Sequence, residues 1–512
     1  MKTIKLKNIL LGILTFILAI ACNDYLEEDY RSGITTDSFF NSDGEADLAV
    51  NGLYTILHEN GFYRGTPLGL DAYYMFGADL VGANRGENGE VHNYTFNESS
   101  TYIDGTWKSI YKLIRNASSI ISNLEDNETL SEPVKNRILG EALFLRALGY
   151  YHLTNIWGNV PYFREFESIN DLVSLPRTDK MLIRTDMKND LERAFELLPG
   201  SYSGADLGRA TKWAAATLKA KFHLFDEEWQ LARDWSVLVI NSPDLRLLDD
   251  YASVFDQSDP DNQYNDELIF VVDFTGIAAV DNTFKNDRTD HFNPRIRDEP
   301  KNPDQKQDLI AALAANNDNM TGFGKAIPLP EFALRSNWQE GDLRYDASIT
   351  QEYEGIELVF PYYKKFWNLN QEFSTRNNHP ENYIVFRLAD VYLMAAEAEN
   401  ELNGPAGAYQ YVNKVRERAF EPDQPISGFS QDQFRQFIRD ERKYELAAEG
   451  HRRMDLIRWG ILIETVLNTE SRAFNNPAAN IQPRNVLYPI FEQELLLNPA
   501  LLESDPTNNG YR

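Results

Sequence analysis

The chain has 512 residues, long enough for one large core or several domains, and 43% of them are hydrophobic, the composition of a folded protein. Its 78 acidic and 50 basic side chains give a formal net charge of −28, and such a polyanion repels nucleic acid and anionic lipid surfaces. Cys22 is the one cysteine, so no intrachain disulfide forms and stability must come from packing.

At the start, Lys2, Lys5 and Lys7 precede an apolar run from Ile9 to Ile20, with small Ala19 and Ala21 before Cys22. That order predicts a secretory signal over residues 1–21. A spanning helix needs about 20 apolar residues, and Asn23 and Asp24 interrupt this run at once. The sequence Leu18-Ala19-Ile20-Ala21-Cys22 resembles a bacterial lipobox, which implies that Cys22 is acylated and heads the mature chain. Stable anchoring takes more than one acyl chain, and a multiply acylated cysteine supplies that. Residues 22–44, opening with Asp24, Glu27, Glu28 and Asp29, read as an acidic tether.

Helical spacing of apolar residues then dominates. It predicts helices over Glu45–Leu57, Tyr102–Leu124, Glu132–Ile156, Arg177–Leu198, Gly208–Phe225 and Glu227–Ile240. A second group follows over Phe386–Leu402, Ala406–Ala419, Gln431–Ala448 and His451–Val466. Small residues alternate with large ones at Ala214-Ala215-Ala216-Thr217-Leu218-Lys219-Ala220 and Ala395-Ala396-Glu397-Ala398, which lets helices approach closely, as in tetratricopeptide-like stacking. The expected class is all-α, a helical-pair scaffold at about 45–57, 101–240 and 383–467, with a C-terminal segment over 468–512. Residues 60–100 and 241–382 break the pattern. Both are rich in Gly, Asn, Asp and aromatics, and loops this long are functional or disordered. Their ring content argues for an ordered, loop-rich lobe.

Glu441, Glu445, Glu449, His451 and Asp455, interleaved with Arg442, Arg452, Arg453 and Arg458, offer carboxylates for acid–base work. Carboxylates stacked four residues apart need arginines to offset their repulsion, so an ion-pair network bracing the last helices is the preferred reading. No zinc-protease, nucleophile-elbow or phosphate-loop pattern occurs. No cofactor is expected. Calcium stays open at Asp256–Glu267, where Asp259, Asp261, Asn262 and Asp266 supply hard oxygens without the ordered spacing of a calcium loop, and a solvated acidic turn is the alternative.

Several segments together resemble the SusD/RagB family. They are Arg146-Ala147-Leu148-Gly149-Tyr150-Tyr151-His152-Leu153 with Trp157-Gly158-Asn159-Val160-Pro161, Gly208-Arg209-Ala210-Thr211-Lys212, and the run Tyr383 to Ala398. Ile438-Arg439-Asp440-Glu441-Arg442 through Arg458-Trp459-Gly460, and Asn485-Val486-Leu487-Tyr488-Pro489-Ile490, complete the set. The ending, Asp505 to Arg512, is more polar than the family's aromatic one. The resemblance implies a non-enzymatic outer-membrane lipoprotein on the cell exterior. It would capture an oligosaccharide and pass it to a SusC-like TonB-dependent transporter, touching the membrane through its lipid alone. Peptide capture, as in RagB-like relatives, and a surface glycoside hydrolase are the alternatives.

Sugars present a C–H face that stacks on rings and a hydroxyl rim that asks for directional partners. Asn84, Arg85, Asn93, Tyr94 and Phe96 offer both within one loop, where the family places part of its site. Phe292, Arg295, Phe323 and Trp338 are candidates for a second wall.

Overall fold

The computed structural model describes residues 40–65, 69–84, 89–100, 104–165, 169–274, 286–369, 379–472 and 475–512. The signal segment, Cys22, the tether up to residue 39, and Arg85 lie outside these residues. The scaffold helices are α1 (Asp43–Leu57), α2 (Asp104–Leu124), α3 (Glu132–Ile156), α4 (Lys180–Leu197), α5 (Lys212–Phe225), α6 (Trp229–Ile240), α7 (Leu388–Asn403), α8 (Pro405–Ala419), α9 (Gln431–Glu445), α10 (Arg452–Arg458) and α11 (Leu462–Asn468). Short strands are β1 (Val81–Ala83), β2 (Val160–Pro161), β3 (Arg177–Thr178), β4 (Leu268–Val272), β5 (Ala326–Pro328), β6 (Ile349–Tyr353), β7 (Ile356–Tyr363) and β8 (Tyr383–Arg387).

Local chemistry sets the helix ends. Ser42 Oγ accepts from the Glu45 N–H at 3.4 Å and opens α1. The helix expected from Arg177 begins instead at Lys180, because Asp179 caps it through the Met181 N–H at 2.7 Å and β3 pairs with β2. Thr211 rather than Gly208 opens α5, accepting from the Ala214 N–H. Phe386 belongs to β8, antiparallel to β4, and α7 follows it directly. A Ser430–Gln433 capping box starts α9, which stops at Glu445 ahead of Ala448 and Gly450, at φ +57° and +84°. The single helix expected over His451–Val466 is two, broken at Gly460 with φ +71°.

Helices α2 to α7 pack each on the next, and α7 also receives α8 and α9, the stacked-pair arrangement the sequence predicts. Close approach depends on small residues: a Cβ at Gly149 of α3 would lie 2.7 Å from Ile114 Cγ1 of α2. From Ile138 to Ile156, α3 is buried on every side. Among the described residues no helix is long and apolar enough to cross a membrane.

The remainder forms the lobe, which contains ordered strand pairs that the sequence did not announce. β1 pairs with β5, and β6 turns into β7 through Glu354 and Gly355, at φ +50° and +77°. A separate small core of Leu309, Leu313, Met320, Ile327, Leu358 and Tyr362 supports it.

Ion pairs bolt this lobe to the scaffold. Glu441 meets Arg344 at 2.6 Å and Arg416 at 2.7 Å, Glu445 meets Arg387 at 2.8 Å and Arg418 at 2.9 Å, and Glu449 meets Arg387 at 2.6 Å and Lys365 at 2.8 Å. Asp455 takes Arg442 and Arg458, both at 2.9 Å. The expected network is present, yet much of its positive charge arrives from outside the segment. Arg344 and Lys365 come from the lobe. Burial alone would raise the Glu445 carboxyl, but Arg387, Arg418 and Arg344 hold it far below the usual carboxylate range.

Candidate functional site

A cleft of about 540 Å³ opens in the lobe between residues 250–258, the five-residue helix Arg288–Phe292, and the stretch Lys364–Asn368. Its apolar part is Phe255, Phe366 and Trp367; the last two are half-buried, so ring surface remains open. The Trp367 indole N–H donates to the Phe292 carbonyl at 3.1 Å, which fixes the ring's orientation. Arg288 lies 4.4 Å from the Phe366 centroid and pairs with Asp71 at 3.1 Å, holding the second ring.

Amides and carboxylates form the other walls. Glu381 accepts from Thr289 Oγ1 at 3.0 Å and from Asn368 Nδ2, and its carbonyl accepts from Asn286 Nδ2 at 2.6 Å. Gln257 Nε2 donates to the Asn382 carbonyl at 3.1 Å, while Asn382 N–H donates back to Gln257 Oε1 at 2.5 Å. Behind them, His379 Nε2 lies 3.0 Å from Asp290 Oδ1; burial pushes its pKa down, but Asp290 and Glu381 more than offset this and leave it raised. Lys364 and Asp346 are exposed at the rim. The floor is tied to the scaffold by Lys365, whose Nζ reaches Glu449 at 2.8 Å and the Tyr251 hydroxyl at 3.0 Å. Burial pushes this ammonium down to about 8 despite Glu449.

The residues singled out from sequence are not brought together. Tyr94 and Phe96 are buried: the Tyr94 hydroxyl donates to the Gly77 carbonyl, and Phe96 stacks on Tyr488 at 4.6 Å. Asn93 is bonded within the C-terminal segment, donating to Asn475 Oδ1 at 3.1 Å and accepting from the Asn476 N–H at 2.7 Å. Trp338 is buried against Phe332 and Tyr444, with its indole N–H on the Phe332 carbonyl at 2.9 Å. Phe292 is wholly buried beneath the cleft, packed 4.6 Å from Phe366. These rings belong to the core and cannot serve as platforms. Asn84, Arg295 and Phe323 do converge on Gly324, whose carbonyl accepts from Asn84 Nδ2 at 2.9 Å. Residues 323–325 bond to the main chain of Asp290, His291 and Asn293, so this trio adjoins the helix that walls the cleft.

Sequence reading missed Trp367, Phe366, Lys364, Asp346 and Glu381. The run Lys364-Lys365-Phe366-Trp367-Asn368 was the available signal, two adjacent rings between polar residues in an irregular region. Of the calcium candidates, Asn262 Nδ2 donates to the Ser253 carbonyl at 2.7 Å and Asp266 pairs with Arg246 at 2.7 Å, while the Asp261 side chain lies outside what the structure describes. Among the described residues no three His, Cys, Asp or Glu side chains gather to hold a metal. A second groove, about 440 Å³, lies beside Trp107, Tyr111 and Phe163 with Leu172, Leu497 and Leu501. Its lining is largely apolar, with Lys108, Lys112, Arg115, Glu494 and Asn498 standing around it.

A stacked-helix scaffold carrying a loop-built cleft defines the class of protein. Family models match two parts of the chain, one described as the SusD family over residues 335–511 and one as "Starch-binding associating with outer membrane" over residues 24–224. SusD-like protein P25 of Formosa agariphila is 42% identical over 534 aligned positions, covering 99% of this chain and 100% of that one. A laminarin-binding SusD-like protein of known structure superimposes with TM-score 0.72 at 26% identity, covering 89% of this chain and 97% of that one. A SusD homologue from Bacteroides thetaiotaomicron superimposes with TM-score 0.77 at 20% identity, covering 93% and 99%. The chain belongs to the SusD family.

Proposed function

We propose that this protein captures an oligosaccharide in the lobe cleft, with one sugar face on Trp367, and delivers it to a SusC-like TonB-dependent barrel. In this reading acylated Cys22 ties it to the outer membrane on the exterior side, and it performs no chemistry on the sugar. The observation that carries the reading is the pairing of half-open Trp367 and Phe366 with a rim of Lys364, Asp346 and wall amides in one cleft. A pyranose needs that combination, an apolar ring for its C–H face and directional groups for its hydroxyls. Family membership supports it, as does a relative described as binding laminarin. So does the outer-membrane association in the description of the matching family model.

The test is calorimetric titration of the mature chain with a panel of oligosaccharides, repeated with Trp367→Ala and Trp367→Phe. At least one sugar is expected to bind. Trp367→Ala should weaken it about tenfold or more, about 1.4 kcal/mol, with Trp367→Phe between the two. A reducing-sugar assay on the same panel is expected to show no product. Equal affinity in Trp367→Ala would remove the site assignment, and an inert panel would remove the function.

A further inference from the structure

We infer that the cleft takes uncharged oligosaccharides and rejects those carrying uronate or sulfate groups. The inference rests on the reading of the cleft as the sugar site.

The cations beneath the cleft are committed. Arg288 is paired with Asp71, and Lys365 with Glu449. Lys365 belongs to the network in which Arg344, Lys365, Arg387, Arg416 and Arg418 match Glu267, Asp342, Glu441, Glu445 and Glu449 one for one. Neither Arg288 nor Lys365 has charge to spare for a ligand. At the wall itself stand Asp250, Asp256 and Asp346, none of them paired with a lysine or arginine among the described residues, and Glu381, whose carboxylate lies 3.8 Å from His379 Nδ1. Asp250 and Asp256 accept bonds from Ser253 and Ser258, neutral donors that leave the charge in place. Against these carboxylates Lys364 is the uncommitted cation of the lining.

The wall is therefore a net negative surface inside a chain of net charge −28. A ligand carboxylate or sulfate brought into it gives up part of its hydration and meets like charge from several carboxylates at once, a repulsion that solvent and salt soften because Asp250, Asp256 and Asp346 are exposed. A neutral sugar meets the same carboxylates as hydrogen-bond acceptors for its hydroxyls, at no electrostatic cost. The charge that makes the wall a good partner for hydroxyls makes it a poor one for anions.

The experiment uses the mature chain and matched ligands. Each neutral oligosaccharide of the panel is titrated beside the same backbone oxidised at C6 to the carboxylate, at low ionic strength and in about 0.5 M NaCl, where charges more than a few ångströms apart are screened. The oxidised form of the best binder is expected to be at least about tenfold weaker at low salt. The gap should narrow at high salt and in the double variant Asp256→Asn/Asp346→Asn. Oxidised sugars that bind as tightly as their neutral parents, or a gap that salt and the double variant leave intact, would overturn the inference while leaving sugar capture standing. A panel in which neither form binds would overturn both.

Discussion

Lys365 and Arg387 both reach Glu449, but removing them should have opposite consequences. Lys365 is buried, and its pKa falls from the ordinary 10.5 to about 8. The charged form is thus disfavoured in the fold by about 3 kcal/mol, even with Glu449 beside it. Glu449 keeps Arg387 at 2.6 Å when the lysine is gone. Lys365→Met, of similar length and apolar, is therefore expected to cost little or to stabilise at pH 7. Arg387→Met instead leaves Glu267, Glu445 and Glu449 sharing fewer cations in the interior. Breaking a buried pair by removing one partner costs about 3–5 kcal/mol. Urea unfolding of the three proteins at pH 7 reads both numbers. The pH dependence adds an independent check. Between about 8 and 10.5 the unfolded chain holds a proton on Lys365 that the folded protein has released, so stability rises with pH across that window, and Lys365→Met should lose this component. A Lys365→Met protein as unstable as Arg387→Met, with the alkaline rise intact, would refute the argument that this lysine is tolerated for position and not for stability.

Other outcomes follow from the same geometry. His152 Nε2 and Nδ1 lie 2.6 Å from the Tyr63 and Tyr74 hydroxyls, one ring nitrogen donating and the other accepting, and burial pushes its pKa from 6.5 down to about 3. Its folded pKa is depressed, so the unfolded chain binds the extra proton and stability falls as pH drops below 6.5; by pH 4.5 the loss from this group approaches about 3 kcal/mol, and His152→Phe should flatten that part of the acid profile in urea titrations. Gly149→Ala drives a methyl to within 2.7 Å of Ile114 Cγ1 and should destabilise by about 1–3 kcal/mol in thermal unfolding. Cys22→Ser should move the protein from the membrane fraction to the soluble one and abolish labelling with radioactive fatty acid; retention at the membrane would argue against the acyl anchor.

The scaffold was legible because stacked helices impose a periodic burial that composition follows. Trp107, Ile114, Ser118 and Ile121 of α2 are buried where the spacing says they must be. Ends were less legible. Tyr383-Ile384-Val385-Phe386 reads equally as helix or strand, and its pairing with β4, far away in sequence, decides the matter. Position in the lobe was hardest. Tyr94, Phe96 and Trp338 have the same chemistry whether buried or exposed, and their burial is set by remote partners such as Tyr488 and Tyr444. Trp367 stays half open because its neighbours at the cleft are amides and short loops, a property of the tertiary arrangement and not of the local run. The polar ending that departs from the family pattern is likewise explained by partners. Asn509 Nδ2 donates to the Tyr488 carbonyl at 2.7 Å and to Trp157 O at 3.1 Å, so amides fasten the tail.

The central claim is best tested by seeing where a bound sugar sits. A crystal structure of the mature chain with the best oligosaccharide of the panel is predicted to show a pyranose ring against Trp367, with hydroxyls bonded to the rim at Asp346 and Lys364. Sugar density in the groove beside Tyr111, or anywhere that leaves Trp367 bare, would contradict it.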